Sequence, residues 1–395
     1  MPIPINPDAY VEEISLLPPT IGAISTDRAA FVGPTRKGPV GKRPRLLTSL
    51  ADFQRTYGTD ADLAFVAPAA LKVNHIAHAV RAYFDNGGTG LYVARTRPNP
   101  ARTPPTPADF AAALATLQPL EDLSTLAAPG YSVRQTSDPA AWEEIQGQLL
   151  AFAEEAGTYR VAVLDPPPGR SVAEVRELRS RIDSSHAALY YPWLIVNNPR
   201  AGLPKQPPTL ALPPSGFLCG IFAAMDHQRG SAKAPANIAL QGALAPESIL
   251  AKFQQEVLNP AGINCLRVLE GRGFLVWGAR TLSSDPEWKY LTVRRYFNYL
   301  EGSIERGTRW AAFETNAEPL WARVCSAISD FLITEWRNGG LLGTKPGDAF
   351  FVKCDRTTMT QDDIDQGRLV CLVGVAVLRP AEFVIFRVGQ QTATP

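Results

Sequence analysis

Three residues of the sequence could form the catalytic triad of a serine hydrolase. Asp165, His186 and Ser215 occur in the order acid, base and nucleophile, within a stretch that alternates predicted helices and strands. The chemistry needs a histidine base beside the serine and a carboxylate that orients the histidine. Ser215 follows Pro213 and Pro214 and lacks the strained elbow that exposes such a nucleophile. We therefore predict no hydrolase site, and interpret His186 as a solvated residue and Ser215 as a helix cap.

Two further groups of residues could bind metal ions. His75 and His78 are three residues apart on a predicted helix, a spacing that could share a metal, but no cysteine or acid pattern accompanies them. Asp362, Asp363 and Asp365 lack the alternation, the central glycine and the closing glutamate of a calcium loop. We interpret the histidines as structural or surface residues and the aspartates as a solvated turn.

Two glycine-rich stretches and one basic pair could bind anions. Residues 86–90 follow a predicted helix instead of opening one, and residues 339–345 miss the spacing of a phosphate loop, so both are predicted turns. Arg294 and Arg295 precede several aromatic residues, but the net charge of the chain is only +1. Without a wider basic patch, we predict a helix with one charged face and no nucleic-acid site.

The cysteines and the hydrophobic runs indicate where the protein is made. The cysteines are odd in number, scattered and without a CxxC pair, which argues against a disulfide framework or a zinc site and favours a reducing compartment. They are Cys219, Cys265, Cys325, Cys354 and Cys371. The first 14 residues do not resemble a signal peptide, and apolar runs such as 217–225 are too short to cross a bilayer. We expect a soluble protein that is made inside a cell.

The elements that would position these residues alternate through the middle of the chain. Helices predicted at 140–156 and 171–184 are each followed by a strand, at 159–164 and 188–196. Such alternation is typical of a largely parallel sheet with right-handed crossovers. Before this stretch, Ser49 is a predicted helix cap and a longer helix is predicted over 67–84. After it, we predict a hairpin of 262–268 with 273–277, helices at 291–306 and 319–337, and strands at 350–354, 369–378 and 383–388.

A short strand near the beginning of the chain has no obvious partner. It alternates apolar and polar residues between flanking prolines, and consists of Tyr10, Val11, Glu12, Glu13 and Ile14. The segment is either a frayed tail or a strand donated to the sheet edge of another subunit.

Ordered motifs run through nearly the whole chain. They include residues 7–14, 29–35 and 79–88, and continue with the motifs at 258–264, 276–281 and 379–383. With these residues the chain resembles the contractile tail sheath proteins of contractile-tailed phages and related injection systems. The proline-rich residues 98–215 match only as a general α/β unit, of the type called subtilisin-like in these proteins.

The resemblance implies an α/β chain, α+β overall. A closing domain of mixed sheet and helices is built from both chain ends, and a non-catalytic subtilisin-like α/β domain with a largely parallel sheet is inserted into it. The expected parts are a strand-exchange arm (1–20), the N-terminal part of the sheath core (21–97), the α/β domain (98–270), the C-terminal sheath domain (271–380) and a second arm (381–395).

The resemblance also implies a mechanical function. Subunits of this family stack as hexameric rings in a helical sheath around an inner tube, and contraction drives the tube through a target envelope. The implied partners are further copies of the chain, the inner tube protein, and baseplate and tail terminator proteins. Neither nucleic acid, membrane insertion, cofactor nor enzymatic activity is implied. The alternatives are a minor or baseplate-proximal sheath paralogue and, in another class, an α/β hydrolase-like enzyme.

Two sets of residues are the candidate sites. The resemblance assigns strand exchange between subunits to both chain ends, at Tyr10, Val11, Glu12, Glu13, Ile14, Phe383, Val384, Ile385, Phe386, Arg387 and Val388. It makes the helix at 319–337 a candidate contact with the inner tube, through Arg323, Asp330, Glu335 and Arg337. A helix with such an apolar stripe is more often part of the core, so the contact with the inner tube is the weaker of the two interpretations.

Overall fold

The computed structural model describes residues 20–204 and 206–382, which divide into two compact units. The large unit contains the described residues from 23 to 302 together with 378–382, and the small unit contains 20–22 and 303–377. The boundaries expected at residues 97 and 270 both fall inside the large unit. The predicted exchange strands, 10–14 and 383–388, lie outside the described residues.

The strands of the described residues belong to three sheets. Those of the large unit are β1 (Arg28–Gly33), β2 (Gly90–Arg95), β3 (Thr125–Ala127), β4 (Val161–Leu164), β5 (Ala187–Tyr191), β6 (Leu194–Asn197), β7 (Thr209–Leu212), β8 (Ile238–Ala239), β9 (Ala243–Pro246), β10 (Ile263–Leu269) and β11 (Gly273–Trp277). Those of the small unit are β12 (Phe350–Lys353) and β13 (Leu372–Val375).

The helices are distributed over both units. The large unit contains α1 (Leu50–Tyr57), α2 (Ala69–Lys72), α3 (His75–Asp85), α4 (Pro107–Ala115), α5 (Pro139–Glu154), α6 (Val172–Ser180), α7 (Ser215–Arg229), α8 (Lys252–Leu258) and the first part of α9 (Leu291–Gly307). The small unit contains the end of α9, α10 (Glu318–Arg337), α11 (Pro346–Ala349) and α12 (Gln361–Asp365). None of the helices in the described parts of the chain is long and apolar enough to cross a membrane.

An eight-stranded sheet forms the centre of the large unit. Its strand order is β2-β1-β3-β4-β5-β10-β11-β8. The pairs from β2 to β10 are parallel, whereas β11 pairs antiparallel with both β10 and β8. The largely parallel sheet and the predicted hairpin of β10 and β11 are therefore confirmed, and with them the mixed α/β fold class.

Helices cover both faces of this sheet, which explains why its strands are buried almost without interruption. Side chains of β1 alternate between two hydrophobic cores because successive residues of a strand point to opposite faces. Phe31 packs in the core that contains α3 and α7, whereas Ala30 and Val32 pack in the core that contains α4 and α5.

Two predicted elements are interrupted in the structure, each at an identifiable residue. The helix expected over 67–84 is two helices, because the Asn74 side chain accepts a hydrogen bond from the Ala77 amide and begins α3 afresh. The strand expected over 188–196 ends at Tyr191, and Pro192 follows. Proline has no amide hydrogen for the ladder, and the chain continues as β6 in a separate three-stranded sheet with β7 and β9.

The small unit pairs its two strands antiparallel and packs α10 against β12. One stripe of α10 is buried, and it comprises Leu320, Trp321, Val324, Ala327, Ile328, Phe331 and Leu332. The expected core role of the apolar stripe is therefore confirmed. The aspartates at 362 and 363, predicted to lie in a solvated turn, belong instead to α12, which Thr360 caps, and both pair with Arg368.

The charged helix face predicted at Arg294 and Arg295 is wrong, because α9 buries both side chains. Arg295 donates from Nη2 to a carboxylate oxygen of Asp226 at 2.6 Å, and both side chains are almost fully buried. Arg294 lies over the Trp288 ring, 4.2 Å from its centroid, and donates to Asn298 at 2.8 Å. Carboxylate, amide and aromatic partners together allow the two guanidinium groups to leave water.

The Arg295–Asp226 pair gives a first prediction. Asp226→Leu leaves the Arg295 charge buried without a partner, so it should lower the free energy of unfolding by about 3–5 kcal/mol. The double variant Asp226→Leu/Arg295→Met replaces both charges with apolar groups and should recover most of that loss. Urea unfolding of the unassembled protein measures both values.

An exposed pair provides the control. Arg181 and Glu177 are 3.1 Å apart with both side chains more than half exposed, and Glu177→Ala should cost less than about 1 kcal/mol. A loss of similar size for Asp226→Leu would mean that the buried pair contributes no more to the fold than a surface pair does.

Candidate functional site

The residues of the weighed triad do not assemble into one. Ser215 donates its hydroxyl to Asp165 at 2.6 Å and its amide to the other carboxylate oxygen at 2.9 Å, with both residues buried. His186 instead contacts the hydroxyl of Ser185 at 3.2 Å. In a triad the histidine would bridge the serine and the carboxylate. Here Asp165, at the end of β4, caps the first turn of α7.

Two sequence interpretations are corrected at this point. Ser215 does not cap α7 but is its first residue, and the carboxylate that accepts its amide comes from a neighbouring strand. His186 is half-buried and not solvated, and burial, aided by Arg294, lowers its pKa to about 4. Burial raises the pKa of Asp165 to about 7, although the hydrogen bonds from Ser215 oppose the rise.

The remaining candidates of the sequence have structural roles. His75 and His78 are both buried, and His75 lies edge-on to Trp193 with its Nε2 3.3 Å from the Ala70 carbonyl oxygen. Burial lowers the pKa of His75 to about 4, which keeps the ring neutral. The two glycine stretches are turns as predicted, since Gly87 and Gly339 follow α3 and α10 with positive φ angles of 88° and 75°.

The sheet of β12 and β13 in the small unit has strand edges that are unpaired among the described residues. Within residues 20–204 and 206–382, each strand pairs in this sheet with the other alone, so each retains one unpaired edge. An isolated bridge between Leu341 and Val377 lies just beyond the end of β13. Backbone amide and carbonyl groups along such an edge can pair with an added strand.

Apolar side chains surround these edges. Phe351, Leu372 and Val370 are 54%, 53% and 41% exposed. The Phe351 ring lies across Gly374, its partner in the ladder, where a Cβ atom would come within 2.1 Å of the ring. A side chain at position 374 would force the Phe351 ring to move, so glycine allows the ring to lie across the strand.

A cavity of about 380 Å³ lies beside β13 in the small unit. Side chains of β13 and α10 line it, among them Val373, Val324 and Ile328, together with Leu320 and Phe313. Thr308, Glu314 and Asn316 also line it, so the walls are both polar and apolar. Such a cavity beside a strand can accept the alternate side chains of an incoming strand.

A cluster in the large unit anchors the last described residue before the C-terminal segment. Arg280 donates to both carboxylate oxygens of Glu382, at 2.7 Å from Nε to Oε1, and from Nη2 to Oε2. Its Nη1 donates to the Asn259 carbonyl at 2.7 Å, and the Asn259 amide donates to Glu382 at 3.1 Å. Such a two-pronged arginine–carboxylate contact is strong and directional.

The electrostatics of this cluster favour the charged carboxylate. Burial alone would raise the pKa of Glu382, but the hydrogen bonds from Arg280 and Asn259 outweigh it and hold the pKa below its ordinary value. Sequence reasoning did not assign this cluster, although Arg280, Asn259 and Glu382 all fall in the motifs that carried the family resemblance. We call these three residues the C-terminal anchor.

The four polar residues proposed on α10 do not share one face. At about 100° per residue, Arg323, Asp330 and Arg337 lie within about 40° of one another, and all three are exposed. Glu335 lies more than about 100° away, on the side of the buried stripe, and is half-buried. Arg323 is held by the ring of Trp310, 4.6 Å from its centroid, and by Glu314 at 3.9 Å.

Three cysteines that are scattered in the sequence converge in the small unit. The sulfur atoms of Cys325, Cys354 and Cys371 all lie within 4.8 Å of one another. The sequence offered no spacing signal for this cluster, because its members come from α10 and from the inner ends of the two strands of the hairpin.

Two family descriptions match adjoining parts of the chain. The model of the phage tail sheath protein central domain matches residues 103–282, and the model of the phage tail sheath C-terminal domain matches residues 283–391. Together they extend over most of the large unit and over the described residues of the small unit from 303 onward.

Solved structures of contractile particles have the same fold. The sheath complex of the extracellular contractile injection system PVC, in its contracted state, is 29% identical, with a TM-score of 0.77 and 99% of each chain covered. The contracted helical sheath of the anti-feeding prophage is 30% identical, with a TM-score of 0.77, over 98% of this chain and 100% of that one. A chain of the six-fold symmetrised baseplate of the same particle is 30% identical, with a TM-score of 0.74, over 99% and 100%.

A curated relative comes from Pseudomonas aeruginosa strain UCBPP-PA14, where it is described as a prophage major tail sheath protein. It is 24% identical over 270 residues, which are 67% of this chain and 64% of the relative. The chain thus spans just under two thirds of that relative's length. The two domain matches and the full-length similarity to sheath structures together identify the protein: the chain belongs to the phage tail sheath family.

Proposed function

We propose that the protein is the structural subunit of a contractile sheath. Copies assemble as hexameric rings, stacked helically around an inner tube, and contraction of the sheath drives the tube through a target envelope. Further copies, the inner tube protein, and baseplate and tail terminator proteins are its partners. The protein is made in the cytoplasm of the producing or host cell and assembled into a virion tail or contractile injection particle. The proposal includes the five expected parts of the chain, which are the arms at 1–20 and 381–395 and the regions 21–97, 98–270 and 271–380 between them.

One observation carries the proposal: the sheet of β12 and β13 has two unpaired edges among the described residues, beside exposed apolar side chains. Two terminal segments of the same chain, 10–14 and 383–388, have the sequence pattern of strands. Strands donated by neighbouring copies would pair with these edges through main-chain hydrogen bonds, and their alternate side chains would enter the adjacent cavity.

The lengths of the terminal segments suit exchange between copies. If fully extended at about 3.3 Å per residue, residues 1–19 would span about 60 Å and residues 383–395 about 40 Å. Both distances exceed the width of a small domain. Prolines at positions 2, 4, 7, 18 and 19 restrict the backbone of the first segment, so it would act as a tether with few hinges.

The C-terminal anchor gives the exchanged strand a fixed starting point. The contact of Arg280 with Glu382 holds the chain one residue before the proposed exchange strand. Force on a donated strand would therefore be transmitted through Glu382 to β10 and β11 of the large sheet, because Arg280 follows β11 and its amide also donates to Asn264 of β10. Such a mesh could keep neighbouring copies connected while the lattice rearranges.

The exposed face of α10 is the proposed contact with the inner tube. Arg323, Asp330 and Arg337 form a line of alternating charge along this face, and such a line can bind a complementary line on a partner. We do not carry Glu335 into this proposal, because it lies on the side of the buried stripe. The energy for contraction would be stored in the extended lattice, without a nucleotide or another cofactor.

The first prediction here concerns strand exchange. Val11→Pro removes a ladder amide from the proposed N-terminal strand, and deletion of residues 1–20 removes the strand entirely. Wild-type protein should form striated hollow tubes in negative-stain electron microscopy, alone or with its inner tube protein, whereas both variants should stop at rings or monomers. Val11→Thr retains the amide and a β-branched side chain, and should assemble like wild type.

The outcomes separate the parts of the proposal. Tubes from the deletion variant would refute strand exchange through the N-terminal segment but leave the sheath function intact. Wild-type protein that stays monomeric in the presence of the tube protein would contradict the sheath function itself.

A second prediction concerns the anchor. Glu382→Gln retains the shape of the side chain but removes its charge, so it should weaken a hydrogen-bonded contact by about 1–3 kcal/mol. Limited proteolysis should then cleave the C-terminal segment faster than in wild type. Glu318→Gln is the matched control, because its pair with Arg356 is exposed on both sides and should not affect cleavage.

The pH dependence of the anchor follows from the lowered pKa of Glu382. Its contribution is complete above the ordinary glutamate pKa of 4.5 and is lost as the pH falls through the lower value of the folded protein. Proteolysis in wild type should therefore accelerate below about pH 4.5, whereas Glu382→Gln should lack this component. Equal pH profiles for the two proteins would argue against the anchor.

A third prediction tests the hydrolase alternative. Ser215→Ala and His186→Ala should both assemble into tubes like wild type, because neither residue is catalytic. Ser215→Ala removes one hydrogen bond to the buried Asp165 and should lower the free energy of unfolding by about 1–3 kcal/mol. A hydrolytic activity of wild type that both variants lose would support the enzyme and contradict this assignment.

A further inference from the structure

The cysteine cluster lies where three elements of the small unit meet. Cys325 projects from the middle of α10, Cys354 directly follows β12 and Cys371 directly precedes β13. The strand register pairs Lys353 with Leu372, so the next opposed position places Cys354 against Cys371. Cys325 completes a triangle of thiols from the helix that packs against β12.

The geometry of this triangle is close to that of a metal site. All three sulfur atoms lie within 4.8 Å of one another. Zinc binds thiolate sulfur at about 2.3 Å with tetrahedral angles, which separates two sulfur ligands by about 3.8 Å. A contraction of at most about 1 Å would bring the thiols to this spacing, and cysteine rotamer changes can supply it without moving the backbone.

The cysteine cluster is partly buried and partly accessible to solvent. Cys354 is buried, whereas Cys325 and Cys371 are half-buried, so the cluster has a dry side and a side that an ion can reach. The carboxylate of the adjacent Asp355 accepts hydrogen bonds from the amide and hydroxyl of Thr357 and is not part of the triangle. The fourth tetrahedral position is therefore left for water or another small ligand.

The other two cysteines neither cluster with another thiol nor reach the surface among the described residues. Cys219 and Cys265 are buried in separate hydrophobic cores of the large unit, surrounded by apolar side chains. A single buried cysteine behaves as a small hydrophobic residue. The other three thiols converge at a half-exposed junction. Thiolates are soft ligands, and a set of them binds zinc in preference to magnesium or calcium.

We propose that Cys325, Cys354 and Cys371 bind one Zn²⁺ ion through their three thiolates. The ion would connect α10 to both strands of the small sheet in each subunit. This inference stands on the thiol geometry and does not depend on the proposed sheath function.

The test uses the full-length protein. Reduced protein is stripped with a chelator and titrated with Co²⁺, which reports thiolate ligation through a sulfur-to-cobalt charge-transfer band in the near ultraviolet. We expect saturation at one Co²⁺ per chain, loss of the band on addition of Zn²⁺, and one Zn²⁺ per chain by elemental analysis. This measurement needs no variant, so it is independent of any folding defect.

Single substitutions locate the site. Cys325→Ser, Cys354→Ser and Cys371→Ser should each weaken Zn²⁺ binding by more than about 100-fold, because loss of an outer-shell partner alone already costs 10–100-fold. Cys265→Ser, the control, should bind like wild type, and circular dichroism checks that each variant is folded.

Three results would overturn the proposal. The first is folded, reduced wild-type protein that shows no charge-transfer band and binds no Zn²⁺. The second is folded cluster variants that bind Zn²⁺ as tightly as the control. The third is a disulfide between Cys354 and Cys371 that mass spectrometry finds in protein purified with Zn²⁺ under reducing conditions.

Discussion

Backbone groups at a sheet edge must pair with something, and in this protein the eight-stranded and the two-stranded sheet meet that constraint differently. The eight-stranded sheet of the large unit pairs its central strands on both sides and buries them between helices. In the two-stranded sheet of the small unit both strands are edge strands, so each has one side without a strand partner among the described residues. A pair of four-residue strands is marginal by itself, so α10 and added strands are what would stabilise it. The exposed Phe351 and Leu372 are consistent with a surface that is completed by assembly.

The large unit itself contains charges that are buried with their partners. The pair of Arg295 with Asp226 joins α9 to α7, Arg294 lies over Trp288 just before α9, and Asp165 fixes the start of α7. Each contact is directional, so it holds elements in register where apolar packing alone would permit sliding.

Local signals in the sequence predicted much of the fold. Ser49 begins α1 because capping depends on residues a few positions away, and the β10–β11 hairpin follows from two apolar runs beside a turn. Features that depend on distant partners could not be predicted this way. The Arg295 side chain is buried because it pairs with Asp226, which belongs to another helix, α7. The three thiols come from α10 and from the ends of two strands, which meet only in the folded unit. The exchange segments remain a prediction from strand patterns and family motifs. The contacts of Arg280 with Glu382 show that those motifs also contain a structural cluster that the resemblance did not assign.

The shortness of β12 and β13 has a consequence for when assembly starts. An added strand opposite four residues gains about four ladder hydrogen bonds, each worth about 0.5–1.5 kcal/mol net, from which the entropy of ordering the arm must be subtracted. One such joint would dissociate readily, whereas a copy held by several neighbours at once would benefit from a high effective concentration. If strands are exchanged as proposed, free subunits would therefore assemble more readily on a template that presents several joints together than one by one in solution.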